Sequence, residues 1–140
     1  MITFESNSVE DTIAHGKEFA KSLKPGDVVC LEGDLGAGKT HFVKGVASQF
    51  GIEKDKVSSP TFTLINEYEA EVPIFHFDCY RIKNEEEALE IGIEEYLYND
   101  GVCIIEWPSK IKNLIPKDSI RIEIKHIGKS KRSIFILDRS

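Results

Sequence analysis

The stretch Gly33-Asp34-Leu35-Gly36-Ala37-Gly38-Lys39-Thr40 decides how this chain reads. It has the form G-x-x-x-x-G-K-[ST], the spacing of a loop that cradles the phosphates of a nucleoside triphosphate. At average residue frequencies the four fixed positions coincide by chance in roughly one chain in 200 of this length, so the flanks matter. The apolar run Val28-Val29-Cys30-Leu31 comes just before, and His41 to Phe50 suits a helix just after. The chemistry needs that strand–loop–helix setting, because the phosphates rest on backbone N–H groups at a helix N-terminus. Gly33, Gly36 and Gly38 permit a close backbone approach that a Cβ would obstruct, and their N–H groups can form a concave anion nest. Asp34, Leu35 and Ala37 fill the variable positions. Lys39 brings a positive charge to the β- and γ-phosphates, and the Thr40 hydroxyl suits Mg²⁺.

The chain has 140 residues, one domain spanning 1–140 and long enough for a real core. Hydrophobic residues at 41% and charged residues at 30% mark a soluble globular protein rather than a disordered one. A net charge of −6 argues against a broad nucleic-acid-binding surface, while leaving room for RNA held by a partner. No apolar run approaches the ~20 residues of a membrane helix, and residues 1–10 lack a signal-peptide pattern. The expectation is a cytoplasmic protein with no membrane partner. Cys30, Cys79 and Cys103 are odd in number and far apart, which fits three buried, reduced thiols.

Outward from the loop, residues 1–5 alternate as a short strand. Ser8 is placed to cap an amphipathic helix running to about Lys24, with Pro25-Gly26-Asp27 turning the chain into the next strand. Phe42, Val43, Val46, Ala47 and Phe50 stripe the helix after the loop, and Gly51 ends it. Beyond a polar segment, Phe62 to Tyr68 and Ile74 to Cys79 read as an antiparallel hairpin. Asn84 to Tyr98 is helical in composition with a break near Gly92. Val102 to Ile105 is a buried strand, Ser109 to Leu114 a short helix, and 120–124 with 133–137 a closing hairpin. Parallel crossovers together with hairpins predict an α/β layered fold with a mixed central sheet flanked by helices, and a nucleotide at the carboxyl ends of the central strands.

A phosphate loop needs carboxylates beside it for hydrolysis. Asp78 closes the run Ile74-Phe75-His76-Phe77, and Glu106 closes Val102 to Ile105. Either brings a carboxylate to the sheet edge where the loop lies; one can hold Mg²⁺ and one can orient the attacking water, with the assignment open. Each also reads as an exposed acid at a strand end. Thr61 stands where a switch threonine would sense the γ-phosphate, or simply in a Ser-Pro-Thr turn. His76 and Asp78 share a strand face, but a lone strand histidine is more often a hydrogen-bonded structural residue than a ligand. Arg81 can pair with an acid or a phosphate. Trp107, next to Glu106, belongs at the rim of the site as a partner anchor or a core cap. Lys129, Lys131 and Arg132 lie in the last turn and can reach nucleotide or remain solvated.

Four ordered stretches together resemble the TsaE (YjeE) family, the bacterial tRNA threonylcarbamoyladenosine biosynthesis ATPases. They are Gly-Asp-Leu-Gly-Ala-Gly-Lys-Thr at 33–40, Ser-Pro-Thr-Phe-Thr-Leu at 59–64, His-Phe-Asp-Cys-Tyr-Arg at 76–81 and Ile-Glu-Trp-Pro at 105–108. The resemblance spans nearly the whole chain. It implies a P-loop NTPase-like fold that binds ATP and Mg²⁺, is weakly active alone, and works with TsaB and TsaD on adenosine 37 of transfer RNA reached through the complex. It implies that Leu35 to Thr40 bind phosphates, Thr40 and Glu106 serve the metal, Asp78 is the other catalytic carboxylate, and Thr61 is switch-like. Trp107 matches the family tryptophan and Thr12 a threonine near the nucleotide. His41 departs from the pattern, since many relatives carry a second threonine there. Two other readings fit the same loop. A small-molecule P-loop kinase would need an acceptor pocket and an arginine-rich lid, where Asn84 to Tyr98 is acidic; a nucleotide sensor would bind without turnover.

Overall fold

The computed structural model describes residues 2–33, 38–60 and 63–137. Asp34, Leu35, Gly36, Ala37 and Thr61, all candidate site residues, lie outside the described residues. Among the described residues, β1 (Ile2–Ser6), β2 (Val28–Glu32), β3 (Ile65–Tyr68), β4 (Ile74–Asp78), β5 (Val102–Glu106), β6 (Ile120–His126) and β7 (Arg132–Leu137) form one sheet. Its order is β1-β7-β6-β2-β5-β4-β3. The centre, β6-β2-β5-β4, is parallel, whereas β3 against β4, β6 against β7 and β1 against β7 are antiparallel. The sheet is therefore mixed, with both expected hairpins present.

β2 and β5 are central and covered on both faces, which explains their unbroken apolar runs. On one face Val29, Leu31, Ile104, Ile122 and Ile124 pack beneath Phe19 of α1 (Val9–Ala20) and Phe42, Val43 and Val46 of α2 (Lys39–Gln49). On the other, Phe75, Phe77, Cys103 and Ile105 meet Ala88 of α3 (Glu85–Glu90), Ile93 and Leu97 of α4 (Ile93–Leu97), and Ile111 of the 3₁₀ turn Pro108–Ile111. The two long helices cross with almost no space between their backbones. A Cβ on Gly45 would lie 2.0 Å from the Ile13 carbonyl oxygen, and one on Gly16 would lie 2.3 Å from that of Phe42.

Ser8 caps α1 by accepting the Asp11 N–H at 3.0 Å, as its sequence position predicts. The helix ends at Ala20 rather than near Lys24, because Lys24 precedes Pro25 and is steered out of the α region, while the chain tightens through a Ser22 N–H to Phe19 carbonyl bond. β3 begins at Ile65, later than the alternation suggests. Leu64 has φ +70°, which cannot continue an extended strand, and its N–H turns back to the Pro60 carbonyl at 2.8 Å. The Asn84–Tyr98 segment is two short helices separated at Gly92, and the helix expected over Ser109–Leu114 is a single 3₁₀ turn starting at Pro108.

Candidate functional site: a buried lysine facing a strand-tip carboxylate

Three parallel strand ends meet at the site. β2 delivers the chain into the loop, β5 ends on Glu106, and β4 ends on Asp78. The register pairs Asp78 directly with Glu106, and Glu106 with Leu31 of β2, so Glu106 sits beside the end of the strand that leads into the loop and Asp78 one strand further out. Side chains paired across parallel strands point to the same face. That face is the one covered by α2, whose first residue is Lys39.

Gly38 takes φ +101°, a left-handed conformation that strains any residue with a Cβ, and it opens α2. Among the described residues no side chain caps this helix end. The N–H groups of its first turn are thus available to an anion, as are those at any uncapped N-terminus. Lys39 is buried, its ammonium 3.6 Å from Glu106 Oε1 and 4.4 Å from the centroid of the Trp107 ring. Among the described residues its Nζ makes no hydrogen bond. A buried ammonium in ionic and ring contact, yet without a bonded acceptor, fits a phosphate oxygen as the missing partner. Thr40 follows in the same helical turn and is half-buried.

Glu106 is only 3% exposed, and its second oxygen accepts from His76 Nε2 at 2.5 Å. Asp78, also buried, accepts the Tyr80 N–H at 2.9 Å. Neither acid is the exposed strand-end residue of the blander sequence reading. Trp107 has φ +57°, rare for a bulky residue, which swings its ring over Lys39 and against Tyr80 at 4.9 Å.

Thr12 and Arg132 approach the site at Gly38. A Cβ on Gly38 would lie 3.5 Å from Arg132 Nε and 3.9 Å from Thr12 Cγ2. The Thr12 methyl faces Gly38, while its hydroxyl is engaged with Ser6 Oγ at 2.7 Å and the Ser8 carbonyl at 3.3 Å. Lys131 points elsewhere, to Glu5 at 3.9 Å, and both are exposed. Gly33 lies at the start of the loop, half-buried. In the first turn of α2, His41 has a buried Nδ1 with no partner among the described residues. Burial, then the charges of Lys44 and Arg132, hold its imidazole below the ordinary histidine pKa.

Sequence reasoning left out Tyr68, whose hydroxyl lies 3.4 Å from His76 Nδ1, and did not link His76 to Glu106. The signal was present in part: positions 76 and 106 can meet only once β4 and β5 are known to be parallel neighbours.

Comparison with known proteins accords with this geometry. The sequence model of a family described as "Threonylcarbamoyl adenosine biosynthesis protein TsaE" matches residues 6–134. The chain is 46% identical over 126 residues to the tRNA threonylcarbamoyladenosine biosynthesis protein TsaE of Bacillus subtilis (strain 168), covering 89% of this chain and 78% of that one. It is 37% identical over 131 residues to the protein of the same name from Treponema pallidum, covering 94% and 96%. The crystal structure of Bacillus subtilis YdiB superposes with a TM-score of 0.82 at 36% identity, covering 99% of this chain and 86% of that one. With a family match across most of its length, relatives more than a third identical, and a solved α/β structure that superposes on it, this chain belongs to the TsaE family.

Proposed function

We propose that the protein is a Mg²⁺-dependent ATPase that serves as an accessory factor in tRNA threonylcarbamoyladenosine formation, working with TsaB and TsaD. The observation that carries the ATPase reading is the buried Lys39 ammonium at the N-terminus of α2, which faces Glu106 and has no hydrogen-bond acceptor among the described residues. The names of its relatives carry the pathway.

On this reading the loop from Gly33 to Thr40 binds the phosphates, and Lys39 turns from Glu106 and Trp107 toward phosphate oxygens. Thr40 and Glu106 hold Mg²⁺, which when bound supplies positive charge to the β- and γ-phosphate oxygens. Asp78 orients water for attack, and Thr61 acts as the threonine that responds to the γ-phosphate. Arg132 and the Thr12 methyl border the nucleotide on the opposite side, near Gly38. With a net charge of −6 the protein approaches tRNA through its partners, with Trp107 at their interface. Its three free, buried thiols suit the reducing cytoplasm.

The test mixes the protein with TsaB, TsaD, tRNA, ATP and Mg²⁺. ATP hydrolysis should rise above that of the protein alone, and modified tRNA should accumulate over many cycles. Equal product with and without this protein would remove it from the pathway, and hydrolysis indifferent to Mg²⁺ would remove the metal.

A further inference from the structure

Glu106 is held from two sides. Oε1 faces the Lys39 ammonium at 3.6 Å, and Oε2 is bonded to His76 Nε2 at 2.5 Å. His76 lies mid-strand in β4 with no exposed surface. Of its neighbours on that face Ile74 and Ile104 are apolar, whereas Asn66 of β3 and Asp78 are polar, so the imidazole sits where the hydrocarbon layer gives way to the polar strand tips. A histidine there needs partners for both nitrogens, and it has them. An ionised carboxylate only accepts, so Nε2 is the donor toward it, and in the tautomer with its proton there Nδ1 is the acceptor. Nδ1 faces the Tyr68 hydroxyl at 3.4 Å.

That hydroxyl has a second acceptor in reach, the Ser58 carbonyl at 3.1 Å, and itself lies 3.3 Å from the Ser58 N–H. Its single proton can serve His76 or the Ser58 carbonyl, but not both. Asn66 Nδ2 also donates to the Ser58 carbonyl at 3.1 Å, so that oxygen stays bonded whichever way the phenol turns. The chain Glu106–His76–Tyr68–Ser58 therefore runs from the strand-tip carboxylate to the loop three residues ahead of Thr61.

We propose that His76 is a positioning residue: it fixes the Glu106 carboxylate beside Lys39 and, through Tyr68, ties that carboxylate to the Ser58 loop. The role rests on the ATPase reading above. A histidine that orients a metal-side carboxylate costs activity when removed without removing the binding groups themselves, since Lys39 and the loop remain.

The experiment compares ATP turnover and Mg²⁺·ATP affinity in the full chain, under the conditions giving the highest wild-type rate. The variants are His76→Phe, His76→Gln, Tyr68→Phe and the double variant Tyr68→Phe/His76→Phe. His76→Phe should lower kcat about tenfold or more. Nucleotide affinity should stay within about threefold of wild type. His76→Gln, which restores an N–H donor toward Glu106, should recover a substantial part of the lost kcat. Tyr68→Phe should lose less than His76→Phe, and the double variant no more than His76→Phe alone, because both substitutions cut one chain. In the free protein, nitrogen NMR should show His76 as the Nε2-protonated tautomer, with Nδ1 shifted in Tyr68→Phe.

Wild-type kcat in His76→Phe overturns the proposal, as does an equal loss in His76→Gln and His76→Phe, which would mark a purely structural ring. An Nδ1-protonated tautomer overturns it independently of any assay. If His76→Phe does not fold, His76→Gln and Tyr68→Phe decide. Wild-type protein with no ATP turnover would instead sink the ATPase reading and this role with it, whereas normal wild-type turnover with indifferent variants sinks only the role of His76.

Discussion

The Lys39 ammonium at the start of α2 stands 3.6 Å from Glu106 Oε1 at the tip of β5, both buried. Their separation in sequence is bridged by the parallel pairing of β2 with β5, which brings the end of one strand beside the loop that follows the other. A buried ammonium and carboxylate this close neutralise one another, and each can release the other to a ligand of matching charge.

Replacing the two partners should therefore separate binding from chemistry. Lys39→Ala should abolish tight ATP binding, because it removes the charge that faces the phosphates. Glu106→Ala should spare nucleotide docking and depress Mg²⁺-dependent turnover, by about two orders of magnitude or more if Glu106 holds the metal. Calorimetric titration with ATP and a phosphate-release assay check the pair. Micromolar binding by Lys39→Ala, or wild-type turnover by Glu106→Ala, would contradict these roles.

Trp107 is the sole tryptophan, and its ring lies 4.4 Å from the Lys39 ammonium. Moving that cation onto phosphate should change the emission of the indole. A saturable fluorescence change on adding ATP is expected, and it should vanish in Lys39→Ala. A signal that persists in that variant would mean the ring reports something other than Lys39.

The crossing of α1 and α2 tolerates no added methyl. A Cβ at Gly45 would sit 2.0 Å from the Ile13 carbonyl oxygen and 2.8 Å from Lys17 N, both backbone atoms that cannot rotate away. Gly45→Ala should destabilise the fold by about 1–3 kcal/mol or more. Denaturant unfolding measures this, and a variant as stable as wild type would show that the helices are not in such close contact.

The three thiols make a prediction in pH. Burial, the largest influence at each, raises Cys30 to about 11 and Cys79 and Cys103 to about 12. In the unfolded chain they ionise near pH ~8.5. Their pKa values are thus higher folded than unfolded. The associated stability is complete below about pH 8.5 and is lost as pH climbs toward the folded values. Native protein at pH 8 should resist an alkylating agent, with all three thiols labelled once denatured. Mass spectrometry checks it, and rapid native labelling of Cys103 would contradict the burial.

His41 gives the opposite slope on the acid side. Its pKa is lowered in the folded state, first by burial and then by Lys44 and Arg132. The unfolded chain binds a proton more readily, so stability present above about pH 6.5 is lost as pH falls through the folded value. His41→Gln should flatten that part of the stability curve. An unchanged acid limb, measured by urea midpoints across pH 5–7, would show that His41 does not contribute.

What the sequence by itself determined is what depends on near neighbours along the chain. The glycine–lysine–threonine spacing at 33–40, the Ser8 cap, the break at Gly92 and the two hairpins rest on local conformational preferences and short-range bonds. The boundaries that moved did so where a local signal was overridden: Leu64 in a left-handed turn, and Lys24 ahead of Pro25. Only the tertiary structure decided who meets whom across the sheet. Asp78 and Glu106 were legible as strand-end acids, but the order β2-β5-β4 set them side by side, gave Glu106 to both Lys39 and His76, and brought Thr12 and Arg132 to Gly38 while leaving Lys131 with Glu5. Alternation along a strand says which face a residue takes, whereas its partner on that face is fixed by strand order and register, which emerge only when the layers pack.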